Sequence, residues 1–208
     1  MARFALSTNL TGTLTLVTRD SELLWLGALT SPLQAGYYKV TMAILNILLI
    51  PVQPLISTTY REVAREVATR SWNNVRYLLR SGSLISGAFS VTAAAGLVVF
   101  GSRVVSLWGS EFLPESYLAL IVLLPGVIAV SIFYWNRTVL LPLGLPEYPT
   151  KVNLAAAVTK VVLIFLLVPR LGAVGMAITL SSFFLGTAVL LVWKTLREIQ
   201  RQAALATG

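Results

Sequence analysis

Apolar runs about as long as a bilayer's hydrocarbon core is thick constrain this chain more than any other feature. A spanning helix needs roughly 20 mostly apolar residues. Six stretches meet or approach that length: about Leu6–Leu29, Ala35–Ser57, Ser81–Phe100, Ser116–Trp135, Val152–Val168 and Ala173–Trp193. The chain has 208 residues, 56% of them hydrophobic and only 12% charged. A soluble domain carries about twice that charged fraction. No compact soluble fold can hide so much apolar surface, because a large share of any globule's surface stays exposed. The spacing therefore predicts an all-α, polytopic membrane protein with six transmembrane helices.

The charges test that count. With the N-terminus in the cytoplasm, the inside segments hold Arg3, Arg61, Arg65, Arg70, Arg76, Arg80, Arg137, Lys151, Lys194, Arg197 and Arg201. The outside connections hold Lys39, Arg103 and Arg170. Eleven cations against three is the bias that orients membrane proteins, and it predicts both termini in the cytoplasm. The net charge of +8 thus belongs to membrane-facing loops and anionic headgroups, with no nucleic-acid partner expected. The start, "MARFALSTNLTGTLTLVT", has a Thr-rich core and no clear small-residue cleavage site, so it reads as part of the first span.

The second connection, "TTYREVAREVATRSWNNVRYLLR", is not a plain loop. Val63, Val67 and Val75, with Ala64, Ala68 and Leu78, recur at helical spacing, and Glu66 stands four residues before Arg70. A basic amphipathic helix over about 58–80, lying on the headgroups, is expected. Pro51 and Pro54 should kink the second span, and Pro125-Gly126 the fourth. "LPLGLPEYPTK" is a Pro-rich connection, and Gly172 and Gly175 in "VPRLGAVGMAIT" permit a tight turn between the last two spans.

Ionisable groups inside spans are costly and mark sites. Arg19, Asp20 and Glu22 interrupt the first span, and Lys160 the fifth. Arg19 and Glu22, three residues apart, can pair across one helical turn. Either these charges neutralise one another at an interhelix contact, or Arg19 and Asp20 face a hydrated cavity. Lys39, Asn46 and Gln53 recur every seven residues, so they share one helix face; Asn153 and Lys160 repeat the pattern. Such stripes suit either a wet groove or interhelical hydrogen bonding. With neither Cys nor His in the chain, disulfides and Cys/His zinc or haem sites are excluded, and no metal or cofactor is expected. No nucleophile elbow, phosphate-binding loop or dinucleotide motif is present, which argues against an enzyme.

Four ordered segments carry a family resemblance. "TRDSELLWLGALTSPLQAGYYKVTMAI" resembles the polysaccharide-biosynthesis flippases, whose signature is a helix with an internal Asp, then a short polar turn and "aGxY"; here these are Asp20, Leu26-Gly27 and Ala35-Gly36-Tyr37-Tyr38. "LWGSEFLPESYLAL", "GLPEYPTKVN" and "VPRLGAVGMAIT" are similar to later segments of the same family, in the same order. That family lies within the multidrug, oligosaccharidyl-lipid and polysaccharide exporter superfamily, whose members have two similar helical lobes around a central cavity. The matches fall in the second lobe. The resemblance implies that the chain is one lobe of a two-lobed exporter that moves an undecaprenyl-diphosphate-linked oligosaccharide across the bacterial inner membrane, and that a missing N-terminal lobe or partner half completes it. Arg19, Asp20, Lys39, Asn46, Gln53, Asn153 and Lys160 would then line the substrate cavity. A cation-coupled drug exporter lobe, with Asp20 as its coupling carboxylate, and a non-transporting scaffold for polysaccharide assembly are the alternatives.

Overall fold

The computed structural model describes residues 21–207. Among these the chain is predominantly helical, with no strand. The α-helices are α1 (Glu22–Leu29), α2 (Pro32–Leu49), α3 (Gln53–Ala68), α4 (Trp72–Ser106), α5 (Leu113–Ile132) and α6 (Glu147–Thr207). Four helical stretches are long and apolar enough to cross a membrane: Pro32–Ala68, Trp72–Ser106, Ser110–Ile132 and Glu147–Leu205. Their outer faces carry exposed residues such as Ile47 (64%), Val189 (66%) and Val99 (68%), a surface that water would penalise and lipid would not. Of the expected first span, only 21–29 falls within the described residues.

Local chemistry sets the helix ends. Ser31 Oγ accepts the Gln34 N–H at 3.3 Å and Pro32 opens α2, a capped start whose fixed φ suits the first turn. Pro51 falls in a single 3-10 turn, Ile50–Val52, after which α3 resumes. The expected amphipathic helix over 58–80 is not one helix. Its first part is the end of α3, continuous with the second span through that 3-10 turn, and its second part is the start of α4. Between them Arg70 adopts φ 56°, the Ser71 N–H reaches Glu66 O at 2.9 Å, and the Arg70 N–H reaches Val67 O at 3.0 Å. This is a Schellman closure with a left-handed residue that is not glycine. It lets Val63 of α3 face Val75 and Leu79 of α4, so the apolar stripe is buried against its own continuation.

Pro125 lies inside α5 without ending it. Gly126 serves packing: a Cβ there would stand 2.8 Å from Ser181 Cα, so the backbones of α5 and α6 approach each other closely. The helix over the expected fifth span starts at Glu147, earlier than hydropathy suggests, and runs past Pro169 to Gly172, where φ 54° and ψ −131° interrupt the helical backbone. A Cβ on Gly175 would meet Leu167 O at 2.7 Å, which requires the chain to double back. α6 is therefore two helical arms, 147–171 and 173–207. The Gln34 side chain caps the second arm by accepting the Ala173 N–H at 2.8 Å.

The connections sort into two ends. At one end, α3, the start of α4, the turn-rich segment 133–145 and the last turns of α6 share a cluster that includes Val63, Leu79, Trp135, Leu143 and Ile199. At the other end, the Tyr37 and Phe112 rings stand edge to face at 5.7 Å, and Gln34 reaches Ala173. Between them lies the main core, with Leu45, Leu120, Leu123 and Met176 fully buried. Polar bonds tie its helices: Thr41 Oγ1 donates to Ser116 O at 2.9 Å, and Ser116 Oγ donates to Tyr37 O at 3.0 Å.

Candidate functional site

Two polar features stand out in this apolar bundle. The first is a sealed charge cluster. Glu22 at the start of α1 is 3% exposed and Lys160 in the first arm of α6 is 3% exposed. Lys160 Nζ donates to Glu22 Oε1 at 2.5 Å, and Tyr38 Oη of α2 donates to Glu22 Oε2 at 2.8 Å. Both carboxylate oxygens are thus satisfied, the condition under which a buried charge is tolerated. Lys160 Nζ also lies 5.4 Å from the centroid of the Phe183 ring. The Glu22 carboxylate reaches across 138 residues to Lys160, an interhelix contact of the kind that was one of the two readings of these charges. Arg19 and Asp20 lie outside the described residues.

The second feature is a cavity of about 320 Å³ at the end where the cationic segments gather. Its polar wall carries Gln53 at the start of α3, Asn136 and Arg137 from the segment after α5, and Thr150 and Asn153 from the first arm of α6. Leu180, Phe183 and Phe184 of the second arm form the apolar wall. The 3-10 turn at Pro51 delivers Gln53 to this wall, and the turns after α5 deliver Asn136 and Arg137. Ser131 Oγ and Asn153 Oδ1 are buried at or near the cavity surface without a protein hydrogen bond. Buried polar atoms of this kind are normally partnered, so their position at a cavity marks places where a polar guest can bond.

The expected residues divide accordingly. Lys39 and Asn46 of α2 and Gln53 of α3 are all exposed. Only Gln53 reaches the cavity, where it meets Asn153. Lys160 is not among the residues that line the cavity, although its Nζ lies over the ring of Phe183, which does. Sequence reasoning missed Tyr38, Asn136 and Thr150, and took Arg137 only as a topology marker. The Glu22–Lys160 pair did have a signal, since one carboxylate and one ammonium in separate apolar segments each need a partner. Asn136 and Arg137 had a weaker one: two polar groups directly after Tyr134 and Trp135 where a span should still be closing. Among the described residues no group of His, Cys, Asp and Glu is arranged to hold a metal ion. No known protein family, curated protein or solved structure matches the chain.

Proposed function

We propose that this chain is one lobe of an exporter that carries an undecaprenyl-diphosphate-linked oligosaccharide across the bacterial inner membrane. It has six spans and cytoplasmic termini on this reading, and a second lobe supplies the facing wall. The observation that supports it is a cavity with a polar wall in an otherwise lipid-suited bundle. Lys39 and Asn46 of α2 are exposed, and Gln53, exposed at the start of α3, lines the cavity that also carries Asn136, Arg137 and Asn153. Exposed polar groups on a spanning helix belong against protein or water, not lipid. The Arg137 guanidinium suits phosphate oxygens, because its planar fork bonds two acceptors at once. The amides of Gln53, Asn136 and Asn153 both donate and accept, which suits sugar hydroxyls. Arg19 and Asp20 would extend the polar wall along the first span. Transport then follows from rocking of one lobe against the other around the bound headgroup.

The segregation of connections into two ends supports the same topology, since the segments bearing Arg61 to Arg80, Arg137, Lys194, Arg197 and Arg201 share one cluster. The test is surface polysaccharide in a strain lacking its flippase. The chain co-expressed with its matching first lobe should restore export, and the chain alone should not. Arg137→Ala and Asn153→Leu in the paired system should abolish most export at unchanged membrane levels. Normal export in both variants would refute the cavity's role; export of a cationic dye in place of polysaccharide would favour a drug exporter.

A further inference from the structure

Apart from the polar cavity, the cationic end carries a groove of about 670 Å³ between α4, the end of α5 and the last turns of α6. Its sides are apolar, from Leu84 and Val91 of α4, Phe133 after α5 and Leu196 of α6, and Gly87 and Ala88 keep its floor low. Arg76 and Arg80 stand at its mouth, one helical turn apart and both exposed. Neither enters a salt bridge among the described residues. The acidic side chains of that end are engaged elsewhere: Glu62 by Arg65, Glu66 by Arg65 and Asn74, Glu147 by Lys151, and Glu198 by Arg201 and Gln202.

We infer that this groove binds one anionic bilayer phospholipid, with its phosphate on Arg76 and Arg80 and an acyl chain along α4. Two features identify the occupant. The two guanidinium groups, without carboxylate partners, complement a phosphate diester whose headgroup adds no positive charge. The groove's length complements the chain: from Arg80 to Val91 the helix rises roughly 16 Å at 1.5 Å per residue, about half of a hydrocarbon core ~30 Å thick. A lipid whose phosphate sits at the arginines therefore ends its chain near the bilayer midplane. The site is independent of the exporter reading, because it lies on a different face from the polar cavity and shares none of its lining residues.

Native mass spectrometry of the full chain in detergent micelles, titrated with dioleoyl phosphatidylglycerol or dioleoyl phosphatidylcholine, tests this. One phosphatidylglycerol should be retained in preference to phosphatidylcholine. Arg76→Ala/Arg80→Ala should lower that preference roughly thirtyfold, from the usual contribution of a cation to anionic-lipid binding. Arg76→Lys/Arg80→Lys should keep most of it. Ala88→Trp, which fills the groove and keeps both charges, should weaken both lipids. Arg61→Ala/Arg197→Ala removes as much charge from the same end and should leave the preference intact; equal losses in this control would mean diffuse attraction and overturn the site. So would equal retention of the two lipids, or unchanged binding in the alanine pair or in Ala88→Trp. Displacement of the bound lipid by a polyprenyl phosphate at a lower concentration than by phosphatidylglycerol itself would overturn the assignment in favour of a carrier lipid. Size-exclusion profiles matching the parent protein would establish that each variant is folded.

Discussion

Replacing Lys160 by Met should destabilise the bundle severely, and replacing Glu22 as well should rescue it. In the parent protein the ammonium and carboxylate meet at 2.5 Å with both side chains almost wholly buried, and Tyr38 Oη holds the second carboxylate oxygen. Lys160→Met removes the cation, leaving Glu22 charged in an apolar interior with a phenol beside it. Removing one partner of a buried pair costs about 3–5 kcal/mol, because the surviving charge stays desolvated. Glu22→Gln alone removes the carboxylate that accepts from Lys160 and should also destabilise the bundle. The double variant Glu22→Gln/Lys160→Met removes both charges, and Gln still offers an oxygen to Tyr38. A neutral, well-packed replacement of a buried pair is often near neutral in stability. The double-mutant cycle should therefore give a coupling of at least ~3 kcal/mol, above the 0.5–3 kcal/mol usual for neighbouring residues. Unfolding of the purified protein in mixed detergent and SDS micelles, followed by Trp fluorescence, measures each corner. Parent-like stability for Lys160→Met, or a double variant no more stable than the worse single, would refute a structural role for the pair. The second outcome would also return Lys160 to the cavity wall where its stripe with Asn153 first placed it.

Three further outcomes follow from particular contacts. Gly126→Ala should cost at least ~1 kcal/mol in the same unfolding assay, since its Cβ would stand 2.8 Å from Ser181 Cα, whereas Gly96→Ala meets open space and should stabilise α4 by about 0.5–1 kcal/mol. Gly172→Ala should lower stability by at least ~1 kcal/mol through its positive φ of 54° and a collision with Gln34, and Gln34→Ala should cost about 1 kcal/mol by leaving the Ala173 N–H without its acceptor. Because the chain has no native Cys, single-cysteine labelling is clean: Asn73→Cys should react with impermeant maleimide from the cytoplasmic side and Glu111→Cys from the opposite side. Labelling of both from one side would break the alternation of spans.

The sequence by itself determined the solvent and the class. Hydropathy is a sum over neighbours, so runs of apolar residues specify spanning helices without reference to the rest of the chain, and the Lys/Arg bias divides their connections into two sets that the folded chain gathers at separate ends. The tight turn at Gly172 was legible for the same local reason, as was the interruption at Pro51. Tertiary structure alone decided what each polar group meets. Glu22 and Lys160 are 138 residues apart, and nothing along one helix distinguishes a partner on the next turn from one on another helix. The cavity is likewise assembled from the start of α3, the turns after α5 and both arms of α6, and its second-arm wall of Leu180, Phe183 and Phe184 follows the reversal at Gly172. The basic stripe over 58–80 shows the limit most plainly. Its periodicity was real, but periodicity fixes only which side chains share a face. Whether that face lies on lipid or closes onto its own continuation was decided by the backbone at Arg70, whose left-handed conformation turns one expected surface helix into a buried corner.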